Sequence, residues 1–197
     1  MKKALFRSLF FVFLLVFAAG CHTHTHDHPH HTHETTPSIT HEEVHAALQT
    51  WCDAVVNIGK VYTEGGDYMG LTTETINTLY DYQAGEVFFK PTLAFGAQTF
   101  RLTDVGAVAY FAGSNENYPD DKGFALRPWI TATYTTAGEN NKGIQIHGDV
   151  ALYMGNVSFT DPDGNTVTVD KTFGFKKRDG KLRIIQHHSS LPFSKSE

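Results

Sequence analysis

The apolar residues of this chain change their spacing near residue 87. Before that point they recur every three or four residues, as on one face of a helix, and after it many alternate with polar residues, as on a strand. The first helix is predicted to begin at a capping box formed by Thr40 and Glu43 and to end at Gly59. Its expected buried face carries Val44, Leu48, Trp51, Cys52, Val55 and Ile58.

Two more helices and a short strand are predicted before residue 112. The second helix is expected over residues 71–80 and the third over residues 101–111, where Thr103 can cap the first turn. Between them, residues 87–92 have the composition of a strand that Pro91 interrupts, because proline has no amide hydrogen to donate. The expected inward positions of the two helices are Leu71, Ile76 and Leu79, then Val105, Val108 and Phe111.

Four strand-like runs follow the third helix, at residues 124–136, 144–160, 166–177 and 181–190. The connections at 137–143, 161–165 and 178–180 are rich in Gly, Asn and Asp, which is typical of hairpin turns. Val167, Val169 and Lys171 alternate with polar neighbours on the third of these runs. The order of elements predicts an α+β fold, in which a curved antiparallel sheet is covered on one face by the N-terminal helices around a central pocket.

The N-terminus has the composition of an export signal. Residues 1–20 contain a basic start and then the apolar run 9–19, and small residues precede Cys21. This end resembles a bacterial lipobox, which implies cleavage before Cys21 and a lipid on its thiol; an ordinary cleaved signal is the alternative. The protein is therefore expected to be exported, as a periplasmic or cell-surface lipoprotein. His22 rather than Asp after the cysteine favours the outer membrane.

Residues 21–37 are predicted to be a lipidated and disordered tether, because they offer no aliphatic or aromatic side chain to a core. Residues 38–197 then form one domain, in which Cys52 is the only cysteine and no internal disulfide can form. The net charge of −5 and the absence of a basic cluster argue against nucleic acid as a partner. Accessory zinc is the one ligand that the tether suggests, through His22, His24, His26, His28, His30, His31 and His33.

The C-terminal strand offers the strongest candidates for chemistry. Side chains alternate between the two faces of a strand, so Leu182, Ile184, Gln186, His188 and Ser190 share one face and Arg183, Ile185, His187 and Ser189 share the other. Because the first face begins with two apolar residues, it is predicted to point inward, and His188 and Ser190 would then enter the pocket. A slip of one residue would bring in the other His–Ser pair instead.

Several separated motifs, spread over residues 40–193, resemble a known family. They are "NTLYDYQAGEVFFKPT", "TFRLTDVGAVAYFAG", "DKGFALRPW", "ALYMGNVSFT", "KTFGFKKRDGKLRI" and "HHSSLPF". Together they are similar to the NTF2-like, SnoaL-like superfamily, to its branch of calcium/calmodulin-dependent kinase II association domains, and most narrowly to the iota class of carbonic anhydrases. The resemblance implies a cone-shaped fold, a homodimer, and reversible hydration of carbon dioxide to bicarbonate without a required cofactor.

The same resemblance implies a set of site residues. Carried over one by one, they are Thr92, Tyr110, His188 and Ser190, with His187 and Ser189 as the alternative pair. Hydroxyl groups could stabilise the negative charge that develops on the oxygens of carbon dioxide, and His188 would accept or relay the proton of the attacking water. Each of these residues could equally be an ordinary member of the core or of the surface.

A zinc site in the domain is not expected. A catalytic zinc needs three convergent protein ligands, but the domain offers only His147, His187 and His188 beyond the first helix, and the last two point to opposite faces of one strand. The alternative function is a zinc-binding lipoprotein, in which the folded domain is a non-catalytic module for ligand binding or assembly. A non-catalytic relative that binds another small molecule is a third hypothesis, since one fold supports many functions.

Overall fold

The computed structural model describes residues 38–195 as three α-helices and a six-stranded sheet. The predicted signal peptide, Cys21 and the His-rich tether lie outside these residues. No helix within residues 38–195 is both long and apolar enough to cross a membrane. The helices are α1 (His41–Thr63), α2 (Tyr68–Leu79) and α3 (Asp104–Ala112), and the strands are β1 (Phe88–Lys90), β2 (Thr131–Thr136), β3 (Ile144–His147), β4 (Val150–Thr160), β5 (Thr166–Arg178) and β6 (Lys181–Ser190).

The sheet has the order β1-β6-β5-β4-β2, and β3 pairs with the first part of β4. All pairs are antiparallel except β1 with β6, which run parallel with Lys90 opposite His188. Strands β2 and β3 thus share one edge of β4, because β3 pairs with residues 150–153 and β2 with residues 155–160. The predicted α+β architecture is confirmed, although the parallel edge strand makes the sheet mixed.

The core lies between the helices and one face of the sheet, which we call the inner face. Trp51 of α1 is buried there and makes edge-to-face ring contacts with Phe159 of β4, Phe173 of β5 and His187 of β6. Such aromatic pairs add to the free energy gained from burying apolar surface. The opposite face of the sheet, the outer face, carries exposed side chains such as Met154.

Helix α1 begins as predicted but ends later. Thr40 and Glu43 form the capping box, with the Glu43 amide donating to Thr40 Oγ1 over 3.2 Å. Gly59 does not end the helix, which continues to Thr63. A methyl group at Gly59 would lie only 2.6 Å from the carbonyl oxygen of Ala125, so glycine is needed here for close packing and not for a turn.

Three other sequence predictions need correction. The run 144–160 is two strands joined by a tight turn at Gly148, whose positive φ of 62° suits glycine. The run 124–136 becomes a strand only at Thr131. Helix α3 has Thr103 as its cap, as predicted, but Val105 is half exposed, because the helix packs through Tyr110 and Phe111 on another part of its surface.

Candidate active site

A cavity of about 550 Å³ opens between α3, the loop after β1 and the inner face of the sheet. Its walls are mixed in character. Trp129, Phe124 and Val169 supply apolar surface, while Thr92 and Tyr110 supply hydroxyl groups. A small apolar substrate could therefore be held against the aromatic wall and meet hydrogen-bond donors at one side.

The hydroxyl groups meet where β1 and β6 end side by side. Thr92 follows β1 by two residues, and its Oγ1 lies 2.6 Å from Oγ of Ser189, so that one hydroxyl donates to the other. Tyr110 reaches the same region from α3, and burial raises its pKa to about 12. The neighbouring Thr92 hydroxyl and Leu93 backbone lower the pKa of Tyr110 and partly offset the effect of burial. Even so, no atom of the described residues makes a hydrogen bond of good geometry to the Tyr110 hydroxyl.

The structure reverses the predicted orientation of the C-terminal strand. Strand β6 contains a bulge, because Phe175 pairs with Ile184 while Gly174 pairs with Gln186, which leaves Ile185 as an extra residue. An extra residue inverts the alternation of side chains beyond it. The side chains of Ile184, His187 and Ser189 therefore all point to the inner face of the sheet, and all three are buried.

The pair that the sequence favoured, His188 and Ser190, therefore lies on the outer face of the sheet and not at the pocket. His188 is exposed and Ser190 is half buried, and both line a shallow groove of the outer face beside Met154 and Asp170. Of the six candidates, Thr92 and Tyr110 line the cavity, Ser189 is fully buried and contacts the Thr92 hydroxyl from behind, and His187 lies deeper in the core. Assigning His188 and Ser190 to the pocket was wrong in orientation, because the bulge cannot be read from the pattern of apolar residues.

His187 is enclosed by aromatic rings and hydrogen bonds. The ring of Phe89 stacks on its imidazole with 4.5 Å between ring centroids. The ring of Phe173 is tilted against the imidazole, with 4.4 Å between centroids. Its Nδ1 is 2.9 Å from the Tyr80 hydroxyl, and its Nε2 is 2.8 Å from Nζ of Lys171. Burial, aided by the neighbouring Lys171, holds the pKa of His187 well below its usual value. This histidine is therefore neutral at physiological pH.

Lys171 is a buried polar residue that the sequence reasoning did not single out. It lies on the inner face of β5 with 4% of its surface exposed, and its Nζ is 4.4 Å from the ring centroid of Trp51. Burial lowers its pKa to about 7. A signal was present in the sequence, since Lys171 continues the inward series of Val167 and Val169, where an apolar residue would be expected.

The loop of residues 113–123 borders the cavity and is attached to Arg101. Arg101 is buried, donates from Nη2 to Asp121 over 2.9 Å, and lies 4.2 Å from the ring centroid of Tyr118. Burial raises the pKa of Asp121 despite the attraction of Arg101. These contacts hold the loop against the cavity wall.

No group of three or more His, Cys, Asp or Glu side chains that could hold a metal ion occurs within residues 38–195. His147 is exposed on β3. The seven histidines of the tether lie outside the described residues, so zinc binding there stays a prediction that nothing supports further.

Comparison with known proteins identifies the family. The family model described as "Metal-independent carbonic anhydrase" matches residues 42–191. A protein of that name from Nostoc sp. is 47% identical over 159 residues, which cover 79% of this chain and 75% of the relative. A crystal structure of an iota-carbonic anhydrase from a cyanobacterium, complexed with bicarbonate, is 46% identical, with a TM-score of 0.76 over 80% of this chain and 95% of that chain.

A more distant structure, an NTF2-like protein from Shewanella oneidensis, is 16% identical over 76% of this chain, with a TM-score of 0.41. The range matched by the family model includes β1, α3 and β6, the elements next to the hydroxyl cluster. This chain belongs to the family of metal-independent, iota-class carbonic anhydrases.

Proposed function

We propose that this protein hydrates carbon dioxide reversibly to bicarbonate at the hydroxyl cluster of Thr92, Tyr110 and Ser189. The observation that carries the assignment is that the hydroxyl groups of Thr92 and Tyr110 line a largely apolar cavity and that Ser189 contacts Thr92 directly behind its wall. The family supports the reaction, and its metal-independent character supports chemistry without a required metal. The related cyanobacterial structure contains bicarbonate, which is the product expected in such a cavity.

The chemistry follows from the charges that the reaction creates. The oxygen of a water molecule forms a bond to the carbon of carbon dioxide, and the electron pair of one C=O bond moves onto oxygen. Hydroxyl donors placed at that oxygen stabilise the developing charge, and they do so more strongly in a buried site than in water. In the Thr92–Ser189 pair one hydroxyl donates to the other, which leaves the second free to donate to substrate. The Tyr110 hydroxyl has no protein partner of good geometry within residues 38–195 and can donate to the same oxygen.

The proton released by the attacking water does not go to His187 in this proposal. Both ring nitrogens of His187 already have partners, and the low pKa of the ring disfavours a second proton. The proton leaves instead through water in the cavity, which opens to solvent. His187 supports the site from behind, two residues before Ser189 on the same strand.

Replacing Tyr110 with phenylalanine tests the site directly. We expect kcat/KM for hydration to fall by about 10- to 100-fold, because one donor to the developing oxyanion is removed while the ring and its packing stay. Stopped-flow measurement with a pH indicator, after treatment with a strong chelator, provides the rates. The matched control is Tyr68→Phe on α2, outside the cavity, which should keep the wild-type rate.

Two results would contradict the proposal. If the wild-type protein shows no rate above the uncatalysed reaction under these conditions, the function is wrong. If Tyr110→Phe and Tyr68→Phe are equally active, carbon dioxide is hydrated elsewhere on the protein.

We further propose that the protein is exported and attached to the outer membrane through lipid on Cys21. The support is the order of a basic start, an apolar run and small residues before that cysteine. In cells fed a labelled fatty acid, the wild-type chain should carry label and sediment with outer membranes. Cys21→Ser should carry none, and equal labelling of the two chains would contradict the anchor.

We propose also that two copies associate through the outer face of the sheet. Leu152, Gly174, Gln186 and Phe88 lie side by side across four strands there, and Leu152 and Phe88 are exposed apolar side chains, as is Met154 in the next row. Exposed apolar groups on the open face of a sheet favour association with another copy. Light scattering after size-exclusion chromatography should give twice the mass of the chain, and a monomer at micromolar concentration would contradict this proposal.

A further inference from the structure

A chain of four buried polar groups runs from α1 to β5 behind the hydroxyl cluster. Nε1 of Trp51 lies 2.9 Å from the Tyr80 hydroxyl, which lies 2.9 Å from Nδ1 of His187, whose Nε2 lies 2.8 Å from Nζ of Lys171. All four side chains are at most 4% exposed. Each of the three contacts therefore needs one donor and one acceptor, because an unpaired buried donor or acceptor costs about 1–3 kcal/mol.

The direction of these hydrogen bonds follows from the first member. An indole nitrogen can only donate, so the Tyr80 oxygen accepts from Trp51. The hydroxyl hydrogen of Tyr80 then has Nδ1 of His187 as its acceptor, and that nitrogen carries no hydrogen. A neutral imidazole has its one hydrogen on the other nitrogen, so Nε2 of His187 donates to Lys171.

Only a neutral amine can accept that hydrogen. An ammonium group has three donors and no lone pair, so a charged Lys171 would have to donate to Nε2. The ring hydrogen of His187 would then move to Nδ1 and point at Tyr80, whose own hydroxyl hydrogen would lose its acceptor. Moreover, none of the ion pairs within residues 38–195 involves Lys171, so no carboxylate compensates a buried charge there.

We propose that Lys171 is a positioning residue of the hydration site, held as a neutral amine that accepts a hydrogen bond from His187 and thereby fixes the strand that carries Ser189. Lys171 and Ser189 are directly paired across β5 and β6, so a shift of one strand moves the other. This inference rests on the proposed function for its effect on activity, but the protonation state of Lys171 is independent of it.

Protonation of Lys171 reverses its hydrogen bond with His187 and moves the ring hydrogen of His187 to Nδ1, while the bond from Trp51 to Tyr80 keeps its direction. Three other titratable groups face the amine: Cys52 on α1, Lys90 on β1 and His187 on β6. Burial raises the pKa of Cys52 to about 12, so its thiol stays neutral. Lys90 is a positive neighbour, donates to the Ser189 carbonyl oxygen over 2.9 Å, and opposes a charge on Lys171. The lysine is thus the group expected to titrate in this cluster, and its burial places that transition near neutral pH.

The decisive experiment is nitrogen NMR of the full chain with labelled histidine. The signals of His187 are assigned from their loss in His187→Gln. Above neutral pH we expect the hydrogen on Nε2 and a bare Nδ1, and in acid a change to a hydrogen on Nδ1 with its midpoint near pH 7. In Lys171→Met this pH-dependent change should disappear. In Lys176→Met, which removes a partly exposed lysine of the same strand that pairs with Asp149, the change should stay. A hydrogen on Nδ1 at every pH, or the same transition in Lys171→Met, would overturn the proposal.

The effect on catalysis is measured on the same three proteins. Wild type and Lys176→Met should show kcat for hydration falling about tenfold between pH 8 and pH 6 beyond the fall in the uncatalysed rate, whereas Lys171→Met should lack this additional fall. An identical acid loss in all three proteins would overturn the positioning role. If the wild type is inactive at every pH, the proposed function fails, but the NMR result still decides the state of Lys171.

Discussion

Replacing Ser189 with alanine is expected to lower kcat/KM for carbon dioxide hydration by about 100-fold. Deleting one preorganised donor to a developing oxyanion has an effect of this order in other enzymes. The loss has two sources here, because Ser189 donates to substrate or orients the Thr92 hydroxyl 2.6 Å away, and the alanine variant can do neither. Stopped-flow rates with carbon dioxide provide the measurement, and the loss should be mainly in kcat.

The neighbouring serine is the matched control. Ser190 has the same chemistry one position along the strand but lies on the outer face, half buried in a shallow groove. We expect Ser190→Ala to keep its rate within about twofold, as is usual for surface substitutions. A large loss in Ser190→Ala with an active Ser189→Ala would show that β6 has the other orientation in the working enzyme, and would contradict the bulge at Ile185.

Replacing Lys171 with methionine is expected to remove a pH-dependent destabilisation of the folded protein. In the folded chain burial lowers the pKa of this amine to about 7, whereas in the unfolded chain it returns to about 10.4. Between these two values the unfolded state binds one more proton than the folded state, so the wild-type free energy of unfolding rises with pH across this window. The contribution of Lys171 to the free energy of unfolding is therefore most unfavourable at and below pH 7. It vanishes above the pKa that Lys171 has in the unfolded chain.

The measurement is urea unfolding of wild type and Lys171→Met at pH 7 and pH 9.5. From pH 7 to pH 9.5 the wild type should gain about 3 kcal/mol relative to the variant, because each pH unit in the window is worth about 1.4 kcal/mol. Lys176→Met serves as control and should follow the wild type, since its ammonium is partly exposed and paired with Asp149. A constant difference between wild type and Lys171→Met at both pH values would mean that Lys171 has an ordinary pKa.

Local patterns in the sequence were sufficient for most of the helices and strands. The capping box at Thr40 and the cap at Thr103 depend on residues three apart, so the sequence shows them directly. The end of α1 was predicted wrongly, because Gly59 has a role that depends on the backbone of Ala125, which is 66 positions away in the chain. The divided run 144–160 was missed for a related reason, since apolar residues continue on both sides of its turn.

In the candidate site, too, some features follow from neighbouring residues and others depend on distant parts of the chain. Thr92 and Tyr110 were found through motifs that resemble a family, and the structure places both at one cavity. Choosing between the two His–Ser pairs required the alternation along β6, and a single extra residue reverses it. Bulges depend on how one strand matches its neighbour, so the sequence of β6 alone does not contain this information.

The sequence by itself determined the kind of elements, their order, the family and the short list of hydroxyl and imidazole groups, because periodicity, caps and motifs are properties of neighbouring residues. Only the tertiary structure decided which serine meets Thr92, that His187 is a neutral member of the core, and that Lys171 is its partner. The physical reason is that protonation and orientation depend on burial and on partners from distant strands. Lys171 and His187 are 16 residues apart, and their 2.8 Å contact exists only when β5 and β6 pair.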